Sequence, residues 1–388
     1  MEKESENSSL GRRKYLSFVG GGVAGSSIIN KVGSVTGSPV DVVTEIGGDG
    51  TKYYKRIPRD WWEYNKKTDS ALRTAKSHLL SHPDIDSIGL TVDRSDGLIS
   101  GRLKPKLRYS VYNENGSEVV PNSVGGIPAV VEQSEPTELL AYDECPYNTG
   151  HYESIGGGTG MYAKKENGKK VFATSCSVMQ KNNNRFLLTA NHTFQCEPND
   201  LDAAYQGNRV FGYVSSYSSS NDWTLIELNA DESWTNAIRV SDAISNPIVW
   251  GHFTEAGLEY LFADPNHYVG KQGRSTGYTL GEITSIKNSG LSSSKYPCVD
   301  IDNYIETSTE AAKGDSGGPI WSESSNENGD VSVVAMTNSG SVPTSKNTCT
   351  TPNNGGFVVH AKTNGIAAYQ VFRDSDCYFG TGHLDRGE

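Results

Sequence analysis

From Gly156 to about residue 375 the chain is written in short runs of Val, Ile, Phe and Tyr. Examples are Val171–Val178, Arg185–Ala190, Val210–Val214, Trp223–Leu228, Gly281–Ile286 and Val331–Met336. Asn, Ser, Gly or Pro breaks the pattern roughly every eight to twelve residues, and no run of helical length and periodicity intervenes. A strand satisfies its apolar face over about five or six residues, whereas a packed helix needs ten or more. The spacing therefore predicts an all-β barrel or sandwich and excludes an alternating β–α sheet. About 220 residues is room for two small barrels.

The sequence before this region has a different texture. Ala71, Leu72, Ala75, Leu79 and Leu80 recur at helical spacing, predicting a helix over Asp69–Ser81 that His82-Pro83 ends. Strand-like runs follow at Ile85–Val92 and Leu107–Tyr112. Residues 45–145 thus read as a small α+β module, with an acidic, turn-rich linker over 134–150. His78 and His82 are four apart and could share a metal, but no third ligand accompanies them, so a solvated helix face is the better reading.

Residues 1–40 read as an export signal. Arg12-Arg13 precede an apolar, Gly-rich run from Leu16 to Ile29, as in a twin-arginine signal. The run is too short for a membrane span of about 20 residues, so no stable membrane insertion is expected. Gly20-Gly21-Gly22-Val23-Ala24-Gly25 satisfies the dinucleotide pattern G-x-G-x-x-G, but no β–α–β unit follows it. The 35 basic and 46 acidic residues give a net charge of −11, which argues against a nucleic-acid partner. Six cysteines include no C-x-x-C pair, which removes the usual signature of a zinc ribbon or a dithiol redox site.

Three segments carry chemistry: Leu187–Thr193 with His192, Asn221–Leu228 with Asp222, and Gly314-Asp315-Ser316-Gly317-Gly318-Pro319. A serine hydroxyl becomes a useful nucleophile only when a base takes its proton, and histidine does this near neutral pH. A buried aspartate holds the imidazole in one tautomer and balances its transient charge. Backbone N–H groups must then meet the oxyanion, and a Gly two before the serine lets Gly314 and Ser316 present theirs. G-x-S-x-G is also the nucleophile elbow of α/β-hydrolases, but that elbow needs a following helix, which Gly317-Gly318-Pro319 opposes.

The order His192, Asp222, Ser316, with Leu-Thr-Ala-x-His, Asp-x-x-Leu-Ile and Gly-Asp-Ser-Gly-Gly-Pro around them, resembles trypsin-like serine proteases of the chymotrypsin fold. The likeness covers about 155–375 and implies two six-stranded antiparallel β-barrels with the site between them. Lys271-Gln272-Gly273-Arg274-Ser275-Thr276-Gly277-Tyr278 further resembles a segment of secreted microbial enzymes such as α-lytic protease and the streptogrisins.

That resemblance implies several further assignments. Arg274 would pair with Asp315 and hold the oxyanion loop; in the animal enzymes a freshly cut N-terminus does so, and Ile155-Gly156-Gly157 faintly resembles one. Cys176 and Cys196 would form a disulfide around His192; apart from the resemblance, Cys298 with Cys349 is a weaker pairing, and Cys145 with Cys377 is what then remains. Glu310 would lie at the base of the specificity pocket, with Lys313 near enough to neutralise it, and Ser339-Gly340 would pair with substrate backbone. The substrates would be polypeptides, hydrolysed outside the cell without cofactor or metal. Separately, the position and size of residues 45–145 and the turn-rich linker over 134–150 point to a propeptide that inhibits in cis or helps fold the barrels, or to a retained accessory module. The competing functional class is a catalytically silent barrel that only binds.

Overall fold

The computed structural model describes residues 37–135, 137–140, 152–195, 197–199, 202–240, 246–292, 300–326, 328–348 and 356–380. Residues 1–36 of the expected export signal, residues 136 and 141–150 of the expected linker, and Cys145, Cys196, Cys298 and Cys349 lie outside the described residues.

Strands dominate, as the short apolar runs predict, and the few helices pack on sheet faces or cap strand ends. The N-terminal unit contains β1 (Val40–Gly47), β2 (Lys52–Ile57), α1 (Arg59–Leu79), β3 (Ile85–Val92), β4 (Pro105–Val111), β5 (Ile127–Gln133) and β6 (Thr137–Leu139). Helix α1 starts ten residues before the predicted Asp69. Its inward face carries Trp61, Asn65, Thr68, Leu72 and Ala75, spaced three or four apart. The polar members of that face hid the first turns from a hydrophobic reading.

The first lobe is one antiparallel sheet: β7 (Gly160–Lys164), β8 (Lys170–Thr174), β9 (Val178–Lys181), β10 (Asn184–Ala190), β11 (Ala203–Gln206), β12 (Arg209–Ser218) and β13 (Trp223–Leu228). Their order is β8-β7-β11-β12-β13-β10-β9. Met161, Ala173, Val178, Leu187, Phe211, Val214 and Ile226 alternate inward and form its core.

The second lobe holds β14 (Val249–Phe253), α2 (Glu255–Phe262), β15 (Val269–Gly273), β16 (Ile283–Ser292), β17 (Asp300–Thr307), β18 (Pro319–Glu323), β19 (Val331–Thr348) and β20 (Gly356–Ala367). The N-terminal unit is stitched into this sheet rather than set apart from it. The strand order runs β2-β1-β14-β19-β20-β17-β16-β3-β4-β5. Strand β1 pairs antiparallel with β14 (Ile46 opposite His252), and β3 with β16 (Leu90 opposite Ile286). One apolar core follows: Leu72, Ile88, Leu90, Leu107 and Tyr109 pack with Phe253, Leu258, Ile286, Ile305 and Val334. Another core, with Leu188, Trp223, Leu225, Val249, Trp321, Val333 and Met336, joins the two lobes. Among the described residues no helix is long and apolar enough to cross a membrane.

Candidate active site

His192 and Asp222 are brought together by strand pairing. Strand β10 ends at Ala190 and β13 begins at Trp223, and these two residues are direct partners. The residues just beyond them, His192 on a short 3₁₀ turn and Asp222 at the entry to β13, therefore meet at one sheet end. The Asn191 N–H donates to the Asp222 carbonyl (3.0 Å), and Thr224 Oγ1 to Asn191 Oδ1 (2.7 Å), which fixes the turn. Asp222 has φ of 48°, a left-handed conformation that a non-glycine residue holds only under constraint.

Ser316 comes from the other lobe, in the turn before β18. Its Oγ lies 2.7 Å from His192 Nε2, and His192 Nδ1 lies 2.6 Å from Asp222 Oδ2. An ionised carboxylate only accepts, so Nδ1 carries the proton and Nε2 is left to receive one from Ser316. Asp222 Oδ1 also accepts the His192 backbone N–H (2.7 Å), and Oδ2 accepts the Asn338 side-chain amide. All three side chains are buried. The predicted trio is thus one hydrogen-bonded chain.

The oxyanion loop is built on glycine geometry. Gly314 has φ of 99° and Gly317 of 87°, both in the left-handed region. A Cβ on Gly317 would lie 2.2 Å from the Thr174 carbonyl, so this turn admits no side chain there. Thr174 clasps the loop from the first lobe: its N–H donates to the Ser316 carbonyl (2.7 Å) and its hydroxyl to the Gly314 carbonyl (2.7 Å).

Asp315 is held differently from the expectation. Its ion-pair partner is Lys271, with Nζ 2.9 Å from Oδ2 and both side chains fully buried. Ser275 N–H (2.7 Å) and Thr276 N–H (3.1 Å) donate to Oδ1, and Thr276 Oγ1 (2.6 Å) and Ala312 N–H (3.1 Å) to Oδ2. The Arg274 guanidinium instead lies over the Phe172 ring, 4.3 Å from its centroid. Side chains alternate along a strand. Lys271 and Gly273 of β15 share the face toward Asp315, and a Cβ on Gly273 would sit 2.1 Å from its carboxylate. Arg274, one step on, takes the opposite direction. The Ile155 N–H is bound to the Ser233 carbonyl (2.8 Å), so Ile155 does not serve Asp315 either.

Two other expectations also change. Glu310 is exposed, between buried Thr309 and Ala311 in the link that follows β17, so it does not form a buried pocket base. Lys313 is half-buried and its carbonyl accepts from Ser275 Oγ (2.5 Å), which makes it part of the loop's support. Cys176 is a free thiol in the inter-lobe core, where burial pushes its pKa up, and its expected partner Cys196 lies outside the described residues. Cys377 is likewise a free buried thiol.

Ser339-Gly340 lies on β19, as expected, and its edge is occupied from within the chain. Strand β6 pairs antiparallel with it: Leu139 opposite Ser339, Glu138 opposite Gly340, Thr137 opposite Ser341. Leu140, next in line, donates its N–H to the Asn338 carbonyl (3.3 Å), and its own carbonyl accepts from the Gly314 N–H. The Leu140 side chain is fully buried. Sequence reasoning missed Asn338, which also receives a contact from Ser316 Oγ at its carbonyl (3.1 Å). The only signal for it was its place beside Ser339-Gly340.

Neither a family model nor a curated protein matches this sequence. Among solved structures the chain is similar to Thermobifida fusca protease A, at 18% identity and a TM-score of 0.42, over 59% of this chain and 100% of that one. It is similar to Cellulomonas bogoriensis chymotrypsin at 19% identity and a TM-score of 0.41, over 59% of this chain and 99% of that one. A glutamic acid-specific serine protease is matched at 16% identity and a TM-score of 0.40, over 58% of this chain and 100% of that one. These are serine proteases of the chymotrypsin fold, the group that the sequence resembles.

Proposed function

We propose that the chain is an exported serine endopeptidase that works through His192, Asp222 and Ser316. The observation that carries this is the unbroken hydrogen-bonded path from Ser316 Oγ through both ring nitrogens of His192 to Asp222. Ser316 Oγ attacks the substrate carbonyl carbon while His192 Nε2 takes its proton. Asp222 stabilises the imidazolium without being protonated. The Gly314 and Ser316 N–H groups meet the oxyanion, the former being where a carbonyl already sits. His192 then gives its proton to the leaving amine, and water repeats the sequence to free the acyl group.

Polypeptides are the substrate class, since the Ser339–Ser341 edge offers strand pairing to an extended chain. Residues 1–40 act as a twin-arginine-type signal that places the enzyme outside the cell. The unit over 45–145 restrains it in cis, supported by the way β6 covers that same edge. A serine-directed phosphonate tests the catalytic reading. Labelling of the wild type that disappears in Ser316→Ala is the expected result; a wild type that never labels is a binding protein instead.

A further inference from the structure

We infer that Asp374, near the end of the last helix, is a positioning residue for the triad: it fixes the turn that carries Asp222 and so sets how that carboxylate meets His192. This rests on the catalytic reading above and adds to it a residue that no sequence motif announces.

Helix α3 (Ala368–Ser375) follows β20 directly and so belongs to the second lobe, whereas Asp222 belongs to the first. Asp374 Oδ2 accepts the Asn221 side-chain amide at 2.6 Å and makes a longer contact with the Trp223 indole N–H at 3.5 Å. Asn221 and Trp223 are the residues immediately before and after Asp222. Gln370, one turn earlier on the helix, donates to both Asp374 oxygens (3.0 and 3.2 Å) and fixes the direction of the carboxylate. Trp223 also shares an apolar core with Ala368 and Val371 of the same helix.

The turn needs holding from outside. Asp222 has φ of 48°, a conformation that costs a non-glycine residue free energy. Its N–H is bound to the Ser219 carbonyl (3.3 Å), and the Asn221 N–H to Ser218 Oγ (3.1 Å). Both bonds stay within one short loop, so they cannot place that loop against the other lobe. The path from Ser316 through His192 to Asp222 crosses from the second lobe to the first, and its alignment depends on ties that cross with it. The Asn338 amide of β19 is one, at Asp222 Oδ2. Asp374 is another, gripping the residues on both sides of Asp222.

The helix itself gains little from this acid. A negative side chain in the last turn opposes the helix dipole. Its ion-pair partner Arg373 is 4.0 Å away and mostly exposed, so screening leaves that pair little weight. What the carboxylate serves is the Asn221–Trp223 turn. Without it the turn relaxes, the Asp222 carboxylate drifts from His192 Nδ1, and Nε2 is no longer aimed as well at the Ser316 proton.

The test compares full-length variants by their rate of labelling with a serine-directed phosphonate, by the proton resonance of His192 Nδ1–H, and by thermal unfolding. The 2.6 Å bond to Asp222 places that resonance at low field in the wild type. Asp374→Ala should slow labelling about tenfold and move the resonance upfield. Asp374→Asn keeps one acceptor oxygen for Asn221 and should bring labelling back to within about threefold of wild type. Asn221→Ala removes the same contact from the other side and reads it even where Asp374→Ala does not fold. It should also slow labelling about tenfold, and the double variant should be no slower than the worse single one. Ser375→Ala, at the same helix end but bonded back to Val371 (2.7 Å), is the control and should label within about twofold of wild type. An unchanged rate or resonance when the Asn221–Asp374 contact is removed, additive single effects, or an equal loss in Ser375→Ala overturns the role of Asp374 and leaves the catalytic reading standing. A wild type that never labels overturns both.

Discussion

Replacing Lys271 with Met removes a buried cation while keeping most of the side-chain volume. Asp315 then stays in the interior with four neutral donors: the N–H groups of Ser275, Thr276 and Ala312, and Thr276 Oγ1. Breaking a buried ion pair by removing one partner typically costs about 3–5 kcal/mol. Those four hydrogen bonds solvate the carboxylate already, which places the effect near the lower end, about 3 kcal/mol. Asp315 adjoins the nucleophile, so the penalty falls on the loop that aligns Gly314 and Ser316. At 1.36 kcal/mol per decade, about 3 kcal/mol corresponds to roughly a hundredfold loss of kcat/KM, where the loop relaxes instead of the fold. Arg274→Ala is the control. It loses a ring contact with Phe172 worth about 0.5–2 kcal/mol, and kcat/KM should stay within about threefold of wild type. Lys271→Met combined with Asp315→Asn removes both charges and should regain much of the lost thermal stability. Peptide hydrolysis and thermal unfolding of the four proteins read all of this. If Lys271→Met is fully active, or Arg274→Ala is the more damaged variant, the assignment of Lys271 is wrong.

The other perturbations act on separate parts of the molecule. Asp222→Asn leaves the packing intact but offers His192 the wrong hydrogen-bond partner, and kcat should fall about 10⁴-fold with unchanged thermal stability. Gly317→Ala places a methyl 2.2 Å from the Thr174 carbonyl at a φ of 87°, so the protein should lose about 1–3 kcal/mol of stability along with its activity, read by denaturant unfolding. His252 is buried against the rings of Phe372 and Phe379, and burial lowers its pKa from 6.5 to about 3. The folded state keeps it neutral while the unfolded chain takes up a proton below pH 6.5, so stability falls with pH across the window from 6.5 to about 3. At pH 5.5 the loss is about 1.4 kcal/mol, and His252→Phe should remove that slope from a pH series of thermal unfolding. Lys287→Met strands the buried carboxylates of Asp69 and Glu259 and should destabilise the full chain by about 3–5 kcal/mol in the same assay.

The all-β core and the trio of His192, Asp222 and Ser316 were legible because each rests on a local pattern. Strand period is visible within six residues, and the three segments stand out by residue type. What was not legible depends on pairing between distant strands. Lys271 and Arg274 stand three residues apart, and only the face that β15 turns to the loop decides which one reaches Asp315. Glu310 sits in the link after β17, and its exposure depends on how that link packs against distant strands. Cys176 hangs on the first lobe, its N–H on the Leu188 carbonyl (2.7 Å), and its thiol packs into the core that joins the two lobes, a place only the tertiary fold defines. Helix α1 was read short because Asn65 and Asp69 face inward, where Asn65 meets Glu259 (2.5 Å) and Asp69 meets Lys287 (2.7 Å). Their buried positions make sense only once the second lobe is present to partner them.

Those same contacts anchor the N-terminal unit to the second lobe. The three residues of β6 are a small part of what joins the N-terminal unit to the second lobe. Strand β1 is hydrogen-bonded to β14 on one side of the sheet and β3 to β16 on the other. Glu45, fully buried on β1, accepts from the hydroxyls of Ser324 (2.7 Å) and Ser332 (2.8 Å) and from the Ser325 N–H (3.0 Å). Lys287 joins Asp69 of α1 to Glu259 of α2; burial alone would lower its pKa, but the surrounding carboxylates raise it, so Lys287 stays protonated. The unit is therefore held to the second lobe by strand pairing at two places, by the buried Glu45 hydrogen bonds and by the Lys287 ion pairs together.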